Sequence, residues 1–320
     1  MPAVTDTPAQ PVPPGPKRGP KGGPEAGTQD DSKGGTAGGT ALVRRRIWPR
    51  RTGGSLSVIL SVAILALFVL VAVFAPWLAP HDPNAVSLSD SLQGTTADHL
   101  LGTDQSGRDV LSRLIHGART SLLGPLGVVT GATLLGVTIG VVAAWRGGWV
   151  DTVLSRAIEL IFAFPGVLLA ILLVAVLSAG LKATVLALAI AYTPYMARMT
   201  RSAALGERHR PYIRALEIQG FSAPAIIARH LLPNIAPMVL AQASLCFGYA
   251  MIDLAGLSFL GFGVQPPQAD WGAMISEGQV ALLQGAPLSA LAPGVLIVLA
   301  VVAFSLIGEG VADRIRRADR

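Results

Sequence analysis

The chain has 320 residues, of which 51% are hydrophobic and only 14% are charged, and its formal net charge is +6. This charged fraction excludes an ordinary soluble domain, in which about a quarter of the residues are charged. The composition therefore predicts an integral membrane protein.

The N-terminal segment is polar. Residues 1 to about 40 are rich in Pro, Gly, Ser, Thr and charge, and they contain almost no large apolar side chains. Such a segment cannot bury enough apolar surface to offset its chain entropy. We therefore predict a disordered tail over residues 1–51, followed by a transmembrane domain over residues 52–320. The first apolar run begins after Arg51 and is too long for a signal-peptide core, so we expect it to remain as a membrane anchor.

Intervals without charged side chains locate the membrane spans, because an ionised side chain at the bilayer centre costs at least about 2.5–3.5 kcal/mol. They predict an all-α fold with six transmembrane helices, at about residues 56–78, 120–145, 157–179, 182–200, 234–256 and 287–309. The fourth interval is short for the roughly 20 residues that a span needs. This helix must therefore include Lys182, whose ammonium can reach the interface.

The basic residues predict the orientation of these spans. If both termini are cytoplasmic, 17 arginines near the membrane lie inside, whereas four basic residues lie outside: Arg108, Arg113, Arg119 and Lys182. The positive-inside rule therefore predicts that both termini, and the polar segment Arg198–Asn234, are cytoplasmic. This topology accounts for the net positive charge, and we expect no nucleic-acid partner.

Two long segments are predicted on the outer side, at residues 80–119 and 258–290. We expect them to form short re-entrant or interfacial helices over a translocation path. In the second span, Gly127, Gly131, Gly136 and Gly140 recur at a spacing that favours close helix packing. Cys246 is predicted to be a small packing residue.

Motifs for chemistry are absent from the sequence. There is no phosphate loop, no HExxH motif and no pair of cysteines, and the five histidines are scattered along the chain. We therefore expect no enzymatic site, cofactor or metal. Glu159, Asp253 and Glu309 each lie near a predicted helix end, whereas an ion-coupled carrier usually needs ionisable groups deep in the bilayer.

The polar segment predicts two short helices. The first runs from Pro211 to Gly220, where glycine can adopt a positive φ and end it. Ser222 is the predicted N-cap of a second helix, which reaches about His230 and is ended by Pro233. Apolar side chains are available on this projection: Tyr212, Ile213, Leu216 and Phe221. The pair could instead lie flat on the lipid headgroups.

Within this segment, "YIRALEIQG" followed by "IIARHLLPN" resembles the cytoplasmic signature loop of ATP-binding-cassette importer permeases. The matching residues are Ala215, Gly220, Leu232, Pro233 and Asn234. Leu216 and Ile218 stand where small residues are usual, which implies a bulkier fit to an ATPase.

Three other stretches resemble the dipeptide, oligopeptide and nickel subfamily of these permeases. They are "LLGTDQSGRDVLSRLIHGARTSL", "DTVLSRAIELIFAFPGVLLA" and "LSFLGFGVQPPQADWG", and with the loop they cover most of residues 58–313 in the same order. The long segment after the first span resembles the second permease of the pair. The chain departs from the pattern at Ala269, at its C-terminal "GEGVADRIRR", and at Asp253, one place from the usual glutamate.

The resemblance implies a permease in the cell membrane that forms half of a translocation path. Its implied partners are a second, homologous permease, two ATPase subunits, an extracytoplasmic solute-binding protein and membrane lipid. The implied ATPase-coupling loop spans residues 212–234, with Tyr212, Arg214, Ala215, Glu217, Gly220, Phe221, Arg229, Leu232, Pro233 and Asn234. The implied extracytoplasmic motif contains Gly102, Thr103, Asp104, Gly107, Arg108, Asp109, Gly117 and Arg119. ATP hydrolysis would take place in the partner subunits, so the chain itself would not be an enzyme.

Two alternatives from other classes remain open at this point. An ion-coupled secondary carrier or a channel would transport without ATPases, and a membrane-anchored scaffold would use the long outer segments as docking sites. The sequence does not distinguish dipeptides, longer peptides, nickel or another small solute as the cargo.

Overall fold

The computed structural model describes residues 54–318, so the predicted tail at residues 1–51 lies outside the described residues. Within this range all regular secondary structure is helical, and one isolated β-bridge joins Thr103 and Asp109 in a loop. The helices are α1 (Gly54–Val73), α2 (Ala75–Leu78), α3 (Val110–Arg146), α4 (Gly148–Phe162), α5 (Gly166–Leu177), α6 (Leu181–Arg208), α7 (Pro211–Ile218), α8 (Ala223–Ile226), α9 (Leu232–Phe259), α10 (Trp271–Glu277), α11 (Gln279–Leu283) and α12 (Leu288–Ala318).

Four helical stretches of the described chain are long and apolar enough to cross a membrane. They are Leu56–Val73, Val110–Arg146, Ala223–Phe259 and Leu288–Asp313, and they correspond to the first, second, fifth and sixth predicted spans. The third predicted span is not one straight helix, because α4 and α5 meet at 89°. Pro165 lies at this break, where it lacks an N–H to donate and disfavours helical backbone at the preceding residue.

Helix α6 covers the fourth predicted span but is not among the helices apolar enough to cross a membrane. It lies inside the bundle, where it packs against α3, α5 and α9. Ala187, Leu188 and Ala197 on α6 are fully buried. Since protein covers much of this helix, its composition need not match that of a lipid-facing span.

The glycines of α3 allow α6 to approach closely, as the sequence predicted. A Cβ added at Gly136 would lie 2.5 Å from the Cβ of Met196, and one added at Gly140 would lie 2.7 Å from the carbonyl oxygen of Ala197. Helices with such contacts pack almost backbone to backbone. Cys246 is also buried, and its thiol lies 3.9 Å from the sulfur of Met196, which confirms its packing role.

The two long segments differ from each other. Residues 80–109 form an irregular loop with one 3-10 turn at Leu88–Asp90, and residues 110–119 belong to α3, so the prediction of short helices is wrong for this segment. The helix that contains the second predicted span therefore begins at Val110, about ten residues before the predicted start of that span. Residues 258–290 do contain two short helices, α10 and α11.

The polar segment folds largely as predicted, except at Pro233. Helix α7 is followed by Gly220 with φ +81°, and α8 begins directly after Ser222. Pro233 does not end the second helix, because a π turn over Ile227–Leu231 joins α8 to α9. The wider turn, in which the amide of Leu232 bonds to the carbonyl of Ile227, admits proline into the first turn of α9 without breaking the helix.

Candidate functional site

A polar network holds the segment 212–234 at its two ends. The hydroxyl of Tyr212 donates to Glu207 Oε1 at 2.6 Å, and Asn234 Nδ2 donates to the Tyr212 oxygen at 2.7 Å and to Glu207 Oε1 at 3.1 Å. Arg210 Nε also pairs with Glu207 Oε2 at 3.0 Å. The network therefore fastens α7 to the end of α6 and the start of α9.

Of the four residues in this network, Tyr212 and Asn234 were predicted, whereas Glu207 and Arg210 were missed. Tyr212 and Asn234 belong to the loop pattern, whereas buried Glu207 precedes it on α6. Burial, and then the hydrogen bond to Glu207, raise the pKa of Tyr212, so its phenol stays neutral and continues to donate at physiological pH. The sequence signal for Glu207 was its place among basic residues in "GERHR", which does not by itself identify a partner.

The apolar side chains of the segment divide into anchors and exposed groups. Ile213, Ile226 and Leu231 are buried and fix the segment to the bundle, so the expectation that Ile213 is available for a partner is wrong. By contrast, Ile218 is 87% exposed and Phe221 is 47% exposed. These two side chains flank the turn at Gly220.

The other predicted residues of the segment lie along α7, at the turn, and from the π turn to the start of α9. Most of them are exposed: Arg214, Ala215, Glu217, Gly220, Arg229, Pro233 and Asn234, while Leu232 is partly buried. Nothing lies within 4 Å of a Cβ added at Gly220, so the positive φ rather than crowding requires glycine there.

A second set of contacts ties the end of α6 to the end of α3. Arg208 donates from a terminal guanidinium nitrogen to the carbonyl oxygen of Ala144 at 2.7 Å, and its guanidinium lies 5.3 Å from the ring centroid of Trp145. A cation that bonds a free carbonyl at a helix C-terminus also interacts favourably with the helix dipole. The base of the 212–234 segment is therefore fixed to the core of the bundle.

At the other end of the bundle, an ion-pair network joins the 80–109 loop to α10. Asp104 Oδ2 accepts from Arg108 Nε at 2.7 Å, and Glu277 Oε2 accepts from both Arg108 and Arg113 at 2.8 Å. The side chain of Arg113 is 1% exposed. Glu277 was missed in the sequence, because it is separated from its partners by more than 160 residues.

The structure brings seven of the eight predicted motif residues of this region into buried positions. Gly102 and Gly107 have positive φ, and a Cβ at either would overlap a backbone carbonyl, that of Gln93 or Ser87 respectively. A Cβ at Gly117 would lie 3.0 Å from the indole of Trp271. The predicted residues that are buried are Gly102, Thr103, Asp104, Gly107, Arg108, Asp109 and Gly117, whereas Arg119 is exposed.

Asp109 caps α3 and lies beside two histidines, His81 and His99. The prediction that the histidines are scattered is therefore wrong for this pair. The carboxylate of Asp109 accepts from the amide and hydroxyl of Ser112 at 2.7 and 2.6 Å and lies 3.0 Å from His99 Nδ1. The rings of His81 and His99 have centroids 4.8 Å apart. Burial alone would raise the pKa of Asp109, but the hydrogen bonds from Ser112 and His99 and the charge of His81 outweigh it, so its pKa is lowered.

Asp253 lies inside α9 rather than near its end. Six residues of the helix follow it, and its Oδ2 accepts from the hydroxyl of Tyr192 on α6 at 2.8 Å. The sequence placed Asp253 near a boundary because the apolar run appeared to stop there. The helix continues to Phe259, so this carboxyl group lies within the span.

Comparisons with known proteins agree with this arrangement. Residues 136–318 match the family model described as the binding-protein-dependent transport system inner membrane component, and residues 57–94 match the N-terminal TM domain of oligopeptide transport permease C. A dipeptide transport system permease protein of Alkalihalophilus pseudofirmus is 40% identical over 80% of this chain and 84% of its own length. The nickel transport system permease protein of Escherichia coli is 35% identical over 81% of this chain and 93% of its own.

Among solved structures, the inward-facing MetNI methionine ABC transporter has a similar fold. The match has a TM-score of 0.52 and 21% identity, and it covers 65% of this chain and 96% of the matched one. At this identity the likeness concerns the fold alone.

Proposed function

Because the chain belongs to the family of binding-protein-dependent transport inner membrane components, as a permease subunit of an ATP-binding-cassette importer, we propose that its segment 212–234 is the surface on which an ATPase subunit docks. The observation that carries this proposal is the pair of exposed apolar side chains, Ile218 and Phe221, beside a glycine turn. Beneath them, Glu207, Tyr212 and Asn234 hold the segment in place. Exposed apolar side chains on a segment that hydrogen bonds hold in place are typical of a protein interaction site.

Transport requires this contact to be stronger in one state of the importer than in the other. A ligand shifts a conformational equilibrium only by its differential affinity for the two states. ATP binding to the partner subunits would therefore act through this segment. Arg214 and Arg229, both exposed, would orient the docked ATPase, and Glu217 would face one of its basic residues.

The proposed assembly has this chain in the cell membrane with both termini in the cytoplasm. A second, homologous permease would complete the path, two ATPase subunits would bind on the cytoplasmic side, and an extracytoplasmic protein would deliver the solute. Support for the orientation comes from the excess of arginine on the side of the 212–234 segment. We propose a peptide, a dipeptide or an oligopeptide, or nickel as the cargo, because relatives are named as dipeptide and nickel permeases.

The test uses two glycines with the same backbone requirement on different segments. Gly220 and Gly285 both have positive φ, at 81° and 86°, and neither has an atom within 4 Å of an added Cβ. Valine at either position is strained by about 1–2 kcal/mol. We expect Gly220→Val to remain in the membrane but to lose ATPase co-purification and ATP-dependent uptake, whereas Gly285→Val should retain co-purification.

An unchanged yield of ATPase with Gly220→Val would contradict the docking proposal. Equal losses with both variants would attribute the effect to misfolding and would also contradict it. Uptake by the chain in vesicles without any ATPase, driven by an ion gradient, would favour a secondary carrier instead.

A further inference from the structure

Helices α6 and α9 together carry a stripe of polar side chains within the membrane domain. Its members are Tyr192 and Tyr195 on α6, and Gln242, Tyr249 and Asp253 on α9. The intervals of seven and four residues place the three α9 side chains on one helix face. Across the two helices, Tyr192 donates to Asp253 at 2.8 Å, and Tyr195 is hydrogen-bonded to Gln242.

This stripe lies at membrane depth. Asp253 is six residues from the end of α9, and Tyr192 is eleven residues from the start of α6. At 1.5 Å per residue these positions are about 9 and 16 Å inside the helices. Each helix has 28 residues and is about 42 Å long. A helix centred on the roughly 30 Å hydrocarbon core therefore extends about 6 Å beyond it at each end, and both side chains then lie inside the core.

The stripe is also uncovered in the isolated chain. Tyr249 is 64% exposed and Tyr195 is 40% exposed, while Asp253 is partly buried. Leu240, on the opposite face of α9, is exposed as well and is suited to lipid. Because an ionisable side chain in a span is costly in hydrocarbon, such residues face the interior of an assembly or a water-filled path. The polar face of α9 is therefore better suited to a water-filled path or a partner subunit than to lipid.

The carboxylate of Asp253 has no cation beside it in the part of the chain that the structure describes. Its hydrogen-bond partner is the phenol of Tyr192, and no arginine or lysine of residues 54–318 forms an ion pair with it. Tyr249 precedes Asp253 by one turn on the same face of α9, and the face of a tyrosine ring attracts cations. A carboxyl group with a tyrosine hydrogen bond, a second tyrosine one turn away and no paired cation among the described residues is suited to bind a positive group.

We propose that Asp253 and the tyrosines of the stripe form a binding site in the translocation path for the positive centre of the cargo. This inference rests on the proposed import function and adds a site within the permease itself. Two kinds of cargo carry a positive charge that this carboxyl group could bind: a peptide with a free ammonium group and a divalent metal ion. The relatives named as dipeptide and nickel permeases transport one of each.

A single reporter cysteine tests the site in the assembled importer. Gly256 lies one turn after Asp253 on α9, is exposed, and has no atom within 4 Å of an added Cβ, so Gly256→Cys fits without displacing the stripe. The background carries Cys246→Ala to remove the native thiol. In membrane vesicles, with and without ATP, the rates of reaction are measured with a cationic trimethylammonium and an anionic sulfonate methanethiosulfonate.

We expect the cationic reagent to react faster, and Asp253→Asn to lower the cationic-to-anionic rate ratio by about tenfold. A unit charge about 6 Å from the thiol gives this change even at the dielectric constant of bulk water. The matched control is Glu159→Gln, which removes a carboxylate from an exposed ion pair with Arg156 on α4 and should leave the ratio unchanged. Tyr249→Cys provides a second reporter if Gly256→Cys does not assemble.

Protection from the reagents distinguishes the two kinds of cargo. Dialanine that slows labelling with Asp253 present, but not with Asp253→Asn, identifies an ammonium, and the same result with nickel chloride identifies a metal ion. N-acetyl-dialanine has no free ammonium and serves as the control. The proposal is overturned if this control protects as well as dialanine while nickel has no effect, or if none of the three compounds protects. An unreactive cysteine at both positions in both nucleotide states, or a rate ratio independent of Asp253, also overturns it. The cationic-to-anionic rate ratio of labelling can be measured without ATP hydrolysis. The proposed site is therefore tested even if the docking of an ATPase on the segment 212–234 is disproved.

Discussion

Substituting Tyr212 with Phe removes one hydroxyl from the network at the base of the segment 212–234. The hydroxyl donates to Glu207 at 2.6 Å and accepts from Asn234 at 2.7 Å. A hydrogen bond to a charged group stabilises by about 1.5–3 kcal/mol. Since about 1.4 kcal/mol corresponds to a factor of ten, local opening of α7 should become about 10–150 times more frequent.

Hydrogen exchange of the α7 amides in the full-length protein measures this opening directly. Tyr212→Phe should raise the exchange rate across Ile213–Ile218, with little change in the α3 and α6 core, because the phenyl ring keeps its packing while the tether is lost. The control is Glu217→Gln, which neutralises an exposed acid on the same helix and should not alter exchange. An increase below about threefold, or an equal increase in both variants, would refute the view that this network holds the segment.

Three further predictions concern packing and the 80–109 loop. Gly136→Ala should destabilise the protein by about 1–3 kcal/mol, measured as a lower Tm, since the new Cβ would lie 2.5 Å from Met196. Gly206→Ala, at an open position on α6, should cause no loss, and equal shifts would contradict the packing argument. Glu277→Gln removes the carboxylate that lies 2.8 Å from buried Arg113 and leaves it, within the described chain, only the longer contact with Asp104 at 3.6 Å. The 80–109 loop should therefore become more sensitive to protease, by an amount corresponding to up to about 3 kcal/mol, and unchanged cleavage would contradict a stabilising role for this ion-pair network. The pKa of Asp109 is lowered below 3.8, so its carboxylate contributes its full stability above about pH 4, and this contribution is lost as the pH falls through the folded pKa. Resistance of the 80–109 loop to protease should fall over the same pH range, and Asp109→Asn should abolish this pH dependence. A dependence that persists in Asp109→Asn would contradict the assignment.

Local rules were sufficient for several features of this fold. The glycine at position 220 ends a short helix with a positive φ, as glycine commonly does, and the glycines at 136 and 140 allow two helices to approach closely. The strongly apolar runs at residues 56–73 and 288–313 also form helices as expected. In each case the residue's own geometry or hydropathy decides the outcome, so no distant partner has to be known.

Features that depend on distant partners were not predicted. Glu277 and Arg113 are far apart in sequence, and the carboxyl of Glu207 is matched by a residue 27 positions later, Asn234. Pro233 misled the prediction because the π turn before it supplies a hydrogen-bond pattern that composition does not reveal. Helix α6 was difficult because burial within the bundle, rather than contact with lipid, determines its composition.

The connectivity of the chain relates the proposed docking segment to the polar stripe. The segment lies between α6 and α9, and these two helices carry all five residues of the stripe. Tyr192 and Glu207 lie fifteen residues apart on α6, a distance of about 22 Å along one helix. On the other side, the π turn joins α8 to α9 without a loop.

Close packing restricts how this unit can move. The gap between α3 and α6 admits no Cβ at Gly136 or Gly140, so sliding one helix along the other would move Cβ-bearing residues into positions where they clash. The salt bridge from Arg201 to Asp151, with nitrogen–oxygen distances of 2.5 and 2.6 Å, also binds α6 to α4. A displacement of the docking segment must therefore be taken up by rotation of α6 together with its neighbours. If the segment 212–234 docks an ATPase as proposed, such a rotation would carry the stripe with it, change its exposure and so couple ATPase movement to the charge of the path.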